Sequence, residues 1–259
     1  MFKAPLDLAK ARILVTNDDG INAPGLKILE KVARSLSSDV WVVAPELEQS
    51  GAGHSLTLRR PIQVRQIAAR RFAVEGTPTD GVLLAVNRLI PGRRPDIVLS
   101  GINRGANLGE DVTYSGTIAA AMEATLLEIP AIALSQLRSG QIVHWHTAEA
   151  YAADVIKRLV KVDWPRGVLM NVNFPAVTAH QVAGLRAVRQ GRRISSIEVV
   201  PATDPSGRPY LWIGDFTNDE SADKDTDLEA TRHGAIAVTP LHLDLTHGMA
   251  LKRLKEAFG

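Results

Sequence analysis

Cysteine is missing from this chain altogether. That removes disulfide bridges, thiolate metal sites and a cysteine nucleophile in one step. Long apolar runs are missing too, since nothing approaches the roughly 20 consecutive apolar residues that a bilayer-spanning helix needs. No such segment lies between Met1 and Ile13, so no signal peptide is visible, and Met1 to Lys10 is too short and mixed for a basic transit leader. The expectation is a cytoplasmic protein. An excess of charge of one sign is absent as well. The formal net charge is +2, and residues 1–130 and 131–259 each carry 15 Lys or Arg against 14 Asp or Glu. Without a basic tail or stripe, binding of a nucleic-acid polymer by bulk electrostatics is not expected. What remains is 259 residues, 45% hydrophobic and 22% charged, which can bury a real core in one large α/β domain or in one domain with an appendage.

The rest of the chain is organised around residues 13–26. Ile13-Leu14-Val15 reads as a strand buried on both faces of a parallel sheet. Pro24 suits the first turn of a helix, where a missing N–H leaves nothing unpaired. Asn17-Asp18-Asp19-Gly20 lies between, at the carboxyl end of the strand, where open α/β sheets bind ligands. Successive side chains on a strand point apart, so Asp18 and Asp19 converge only if the chain has bent, and Gly20 permits the bend. Two adjacent carboxylates repel unless a proton or cation sits between them, and hard divalent cations prefer oxygen ligands. Taken alone, the dipeptide reads first as an Asx-type turn.

Helical spacing follows at Leu26, Leu29, Val32, Ala33 and Leu36, then a second strand at Val40–Ala44. The polar loop 46–55 contains Ser50 and Gly51. Short strands at 62–65 and 72–75 read as an edge hairpin, and a helix from about Pro78 to Leu89 is capped by Thr77 or Thr79. Further strands are expected at 96–100, 130–134 and 168–172, with helices near 116–128 and 146–162. That alternation means a parallel sheet with crossover helices. The last third breaks the rhythm. Between Asp215 and Glu229 lie seven acidic residues and one lysine, which read as a solvated loop. Strand-type runs at 210–213 and 235–239 read as a two-stranded unit, and Gly248–Phe258 as a short amphipathic helix.

A second chemical stretch begins at the end of the third strand, Ser100-Gly101-Ile102-Asn103, and runs to Tyr114-Ser115-Gly116-Thr117, where an alanine-rich helix starts. Two hydroxyls, unpaired N–H groups and the positive end of a helix dipole suit a phosphate there. Ser115 as a simple helix cap suits the same residues. No Gly-Lys-Ser/Thr of a Walker A loop and no dinucleotide glycine spacing is present. Acidic metal ligands beside an anion cradle point to metal-assisted phosphoryl transfer.

These motifs resemble the survival protein SurE family. The likeness is carried by Thr16-Asn17-Asp18-Asp19-Gly20-Ile21 with Ala23-Pro24-Gly25, Ser50-Gly51, Ser100-Gly101-Ile102-Asn103, Asn107-Leu108-Gly109 with Asp111-Val112, and Tyr114-Ser115-Gly116-Thr117. It runs in order over 12–135 and resumes at Val238-Thr239-Pro240-Leu241 with Asp244-Leu245-Thr246. The resemblance implies a metal-dependent phosphatase of nucleoside monophosphates, with 3′-nucleotidase or exopolyphosphatase activity as further options. It implies that Asp18, Asp19, Ser50 and Asn103 hold one divalent cation per subunit, Mg²⁺ or Mn²⁺. It implies that Asn107, Ser115, Gly116 and Thr117 hold the phosphate. It also implies a Rossmann-like core over 1–200, with helices on both faces of the sheet. Residues 201–259 then form a C-terminal hairpin and helix exchanged between subunits of a homodimer or homotetramer.

On this reading Asp19, or Asp18, takes a proton from the attacking water. An aspartyl-phosphate phosphatase of the haloacid-dehalogenase type is disfavoured, because it uses Asp-x-Asp rather than adjacent aspartates. A nucleotide sensor without turnover would need only the helix end, not the acidic pair. The seven histidines show neither Arg-His-Gly nor His-Glu-x-x-His. They read as surface or interface residues, with His54 set apart because it shares a loop with Ser50.

Overall fold

The computed structural model describes residues 2–192, 197–216 and 223–259. It begins with β1 (Arg12–Thr16), whose residues from Ile13 onward are buried. Ile13 and Val15 pack into the core on one side of the sheet and Leu14 into the core on the other. Double burial is why the strand reads as a continuous apolar run rather than an alternation.

Next comes α1 (Pro24–Leu36), with proline in its first turn and Gly25, Leu26, Leu29, Val32, Ala33 and Leu36 turned inward. A Cβ on Gly25 would lie 1.8 Å from the carbonyl oxygen of Ile102, so only glycine lets this helix settle on the sheet. The chain continues through β2 (Asp39–Pro45), the antiparallel hairpin β3 (Val64–Ala68) and β4 (Arg71–Val74), and α2 (Pro78–Leu84), which runs into a π-helical turn over 85–89. Thr77 caps α2 in a reciprocal box. Its hydroxyl accepts from the Asp80 N–H at 3.1 Å, and Asp80 accepts from the Thr77 N–H at 2.8 Å.

Then follow β5 (Ile97–Arg104), α3 (Asp111–Tyr114), α4 (Gly116–Leu126), β6 (Ala131–Gln136), the small hairpin β7 (Arg138–Ser139) and β8 (Ile142–Val143), α5 (Trp145–Leu159) and β9 (Val168–Phe174). The last elements are β10 (Leu185–Ala187), β11 (Ile197–Thr203), β12 (Pro209–Phe216), α6 (Asp227–Arg232), β13 (Ile236–His242) and α7 (Gly248–Phe258).

Among the described residues nine strands form one sheet, in the order β10-β13-β9-β6-β5-β1-β2-β4-β3. Its pairings are parallel except β3 with β4 and β9 with β13. One apolar core lies under α1 and α5, the other under α2 and α4. The expected α/β architecture, a parallel-dominant sheet with helices on both faces and a C-terminal hairpin, is therefore what forms. From β1 the chain winds to β2 on one side, while β5, β6 and β9 build outward on the other. The order reverses between β1 and β5, and the carboxyl ends at such a switch point are where open α/β sheets bind ligands.

Two sequence expectations change. β5 continues past Ser100 to Arg104, through an irregularity between Ser100 and Asn103 in its pairing with β6. The strand run near 210 does not pair with the run near 236. β12 pairs with β11, and β13 lies inside the main sheet between β10 and β9. Ile236, Ala237 and Val238 are buried there, whereas Leu211, Trp212 and Ile213 are exposed. A short apolar run announces a strand but not its partner. No residue of α7 is buried, and among the described residues no helix is long and apolar enough to cross a membrane.

Candidate active site

At the end of β1 the Asn17 side-chain amide donates to the Gly20 carbonyl at 3.0 Å, closing the turn that carries Asp18 and Asp19. Gly20 has φ +97°, in the region open mainly to glycine, and the Ile21 N–H then reaches the Pro45 carbonyl at 2.8 Å. The turn aims the two carboxylates at different elements. Asp18, 4% exposed, accepts a hydrogen bond from Thr117 Oγ1 at 2.5 Å, in the first turn of α4. A Cβ on Gly116 would sit 2.7 Å from Asp18 Cβ, so glycine is what admits the carboxylate to the helix end. Asp19 Oδ2 accepts from the Arg104 backbone N–H at 3.0 Å, at the end of β5.

Burial raises the Asp18 carboxyl above its ordinary range, although hydrogen bonds from Thr117 and from backbone N–H groups at the α4 end pull the other way. Asp19 is pushed up to about 6, first by burial, then by the charge of Asp18, with Glu48 adding to the rise and Arg104 opposing it. Both acids are thus held where negative charge is poorly tolerated without a proton or cation.

The loop after β2 joins them. The Gln49 N–H donates to the Asp18 carbonyl at 2.8 Å, bringing Ser50 to this end of the sheet. Ser50 Oγ donates to Glu48 at 2.7 Å, which leaves the oxygen lone pairs available to accept. Asn103 Nδ2 donates to the Gly105 carbonyl at 3.2 Å and leaves Oδ1 uncommitted in the same way. Two carboxylates, a hydroxyl oxygen and an amide oxygen are hard donors of the kind that suits Mg²⁺ or Mn²⁺. Among the described residues no cluster of three or more His, Asp, Glu or Cys side chains is placed to hold a metal, so a cation here would rest on this mixed set.

The candidate phosphate residues are less uniform. Ser115 Oγ accepts from the Ile118 N–H at 3.1 Å and so caps α4, while the Thr117 hydroxyl is spent on Asp18. Asn107 lies in the loop after β5 and is 4% exposed. Its side chain donates to Ser135 Oγ at 2.8 Å, its N–H reaches Asn173 Oδ1 at 2.9 Å, and its carbonyl accepts from Asn171 at 2.8 Å and Asn173 at 3.1 Å.

Residues 13–196 match the family model described as survival protein SurE. The chain belongs to the SurE family. It is 58% identical over 258 residues to a protein named 5′-nucleotidase SurE from Paramagnetospirillum magneticum, covering 99% of each chain. It is 53% identical over 253 residues to another of that name from Caulobacter vibrioides, covering 96% of each. The crystal structure of SurE protein from Aquifex aeolicus superposes with a TM-score of 0.82 at 38% identity, covering 96% of this chain and 100% of that one. The resemblance read from the motifs is borne out over most of the chain.

Several residues around this SurE site escape the sequence reading. Glu48, Ser135, Asn171 and Asn173 support it through hydrogen bonds or charge. One signal was readable. Asn171 and Asn173 fall on one face of an otherwise apolar strand, and polar residues there need an inward partner. His54 pairs with Glu123 of α4 at 3.1 Å, and His146 is exposed beside Glu149 at 3.6 Å.

Proposed function

We propose that this chain is a metal-dependent 5′-nucleotidase that hydrolyses the phosphomonoester of nucleoside monophosphates at the carboxyl ends of β1 and β5. The observation that carries the reading is the placement of Asp18 and Asp19. One carboxylate is bonded into the first turn of α4 and the other to the end of β5, side by side and short of positive charge. The relatives named 5′-nucleotidase SurE, at 53–58% identity over nearly the whole chain, support the same activity.

Asp18, Asp19, Ser50 and Asn103 are the residues that would hold the cation. When bound, it supplies Lewis-acid polarisation of a phosphate oxygen and acidifies water. The protein's own groups do the rest. Asp19 or Asp18 takes the proton of the attacking water as the P–O bond to the nucleoside breaks, and solvent protonates the departing alkoxide. Thr117 fixes Asp18 so that the donor set keeps its shape. Ser115 and the N–H groups opening α4 stabilise charge on the equatorial phosphate oxygens. From the facing loop Asn107 Nδ2 offers them the proton it does not give to Ser135.

The C-terminal hairpin β11–β12 and α7 serve as the contact between two copies of this chain. Trp212 is 61% exposed and Phe258 82%, and a two-stranded unit is marginal in water without a covered face. Exchange of identical elements gives a two-fold dimer, and two such dimers a tetramer.

The test of the activity is phosphate release from AMP with and without EDTA. Release that stops on chelation and returns with Mn²⁺ or Mg²⁺ supports the reading. Binding of AMP without release in either condition makes the protein a sensor instead.

A further inference from the structure

Asp227 has no exposed surface, and a carboxylate in that position needs hydrogen-bond donors. Its Oδ2 accepts from the Gly109 N–H at 3.0 Å, and its Oδ1 accepts from the N–H groups of Gly191 and Leu228, both at 2.8 Å. From the same side Gln190 Nε2 donates to the Gly109 carbonyl at 2.7 Å. Both main-chain polar groups of Gly109 are therefore held by residues more than eighty positions further along the chain. The approach is close. A Cβ on Gly191 would lie 2.8 Å from Asp227 Oδ1 and 2.9 Å from a Leu228 methyl. The clamp also sits where the β11–β12 hairpin leaves and rejoins the body. The Arg189 N–H donates to the Asp225 carbonyl at 3.2 Å, and the Asp227 N–H to the Arg189 carbonyl at 3.0 Å.

Gly109 belongs to the loop between β5 and α3. Asn107 at one end of that loop is fixed from β9 and β6, through Asn171, Asn173 and Ser135. At the other end the Leu108 N–H donates to Asp111, at the start of α3, at 3.1 Å, and Ser115 follows directly after that helix. Between these fixed points, Asp227 and Gln190 hold the loop from the C-terminal segment. We propose that Asp227, assisted by Gln190, is a positioning residue for phosphate binding. It fixes Gly109 and through it the loop that presents Asn107 and leads to Ser115. The proposal rests on the assignment of that loop to the substrate phosphate. Asp227 itself touches no substrate.

A carboxylate suits the task because both oxygens accept. An amide at 227 must turn its NH₂ group against at least one of these N–H donors. The test compares wild type, Asp227→Asn and Gln190→Ala as full chains with divalent cation present. It reads KM and kcat for AMP, competitive inhibition by inorganic phosphate, and hydrogen exchange at the Gly109 amide. Asp227→Asn should raise both KM and the phosphate inhibition constant about tenfold, with kcat within about twofold, as expected for losing a hydrogen bond to a charged group. The Gly109 amide should exchange faster. Gln190 is exposed, so Gln190→Ala should fold normally and shift the same two constants about threefold. If Asp227→Asn fails to fold, Gln190→Ala decides. Phosphate inhibition that is clear in wild type and unmoved in the folded variants overturns the positioning role and leaves the nucleotidase reading intact. Wild-type enzyme that turns over AMP but is not inhibited by inorganic phosphate overturns the assignment of this loop to phosphate and the positioning role with it. Absence of AMP turnover removes the nucleotidase reading instead.

Discussion

Thr117 Oγ1 donates to Asp18 Oδ1 across 2.5 Å, tying the end of β1 to the first turn of α4. That hydrogen bond helps join the acidic turn to the helix assigned to phosphate. Thr117→Val keeps the shape and removes the donor. It should lower stability by about 1–3 kcal/mol, because a buried carboxylate loses a partner. It should also weaken cation binding about tenfold or more. Calorimetric titration with Mn²⁺ and thermal unfolding check both, and a variant matching wild type in both would leave this bond without a role.

The raised Asp19 carboxyl predicts a pH dependence with a definite sign. Its folded value is about 6 against an ordinary 3.8, so the protonated form is favoured in the folded, metal-free protein. The associated stability is fully present below about pH 4 and is lost as pH rises through about 6. In EDTA the melting temperature should therefore gain from this group as pH falls from about 7 to about 5. The gain over that window corresponds to about 1 kcal/mol, and saturating Mn²⁺ should abolish it. Cation affinity should fall about tenfold per pH unit below about 6, because binding must displace that proton. Affinity that is flat between about pH 5 and 7 contradicts the assignment.

Gly25 is a packing requirement rather than a turn. The nearest atom to an added Cβ is backbone, the Ile102 carbonyl oxygen at 1.8 Å, which cannot swing aside as a side chain can. Gly25→Ala should destabilise the protein by about 3 kcal/mol and displace α1 or β5. Asn103 adjoins Ile102, so activity should fall at temperatures where the variant is still folded. Unfolding curves and rates at about 15 °C separate the two effects.

The exposed hairpin predicts an oligomer. Leu211→Asp with Ile213→Asp places charge on residues 69% and 77% exposed, so the fold of one chain should survive. Sedimentation should show a shift from dimer or tetramer toward monomer. Deleting everything after Val200 is no test, because it strips β13 from the main sheet. A double variant that stays fully assembled would place the interface elsewhere.

Much of this was legible in the sequence. Ile13-Leu14-Val15 announced a strand buried on both faces, Pro24 the start of α1, and the recurrence from Leu26 to Leu36 its buried side. Asp18 and Asp19 stood out because adjacent carboxylates at a strand end need a reason. Contacts between distant segments were not legible. Periodicity shows that Ile236–Val238 is a buried strand but not that β9 and β10 flank it. Nor does it reveal that the Thr117 hydroxyl, read as a phosphate ligand, donates to Asp18. Asp225-Thr226-Asp227 lies in an acidic stretch that reads as a solvated loop, and only the fold shows Asp227 buried against Gly109.

On the proposed reading, Asp18 and Asp19 hold the cation on which hydrolysis depends. Asp19→Asn is nearly isosteric, and its side-chain oxygen can still accept from the Arg104 N–H, so the fold should be retained. The most direct measurement is phosphate release from AMP by wild type and Asp19→Asn across a titration of Mn²⁺, beside calorimetric binding of the same ion. The expected result is a folded variant whose Mn²⁺ affinity falls and whose turnover drops by orders of magnitude even at saturating Mn²⁺. Near-normal turnover by Asp19→Asn at limiting Mn²⁺ would contradict it.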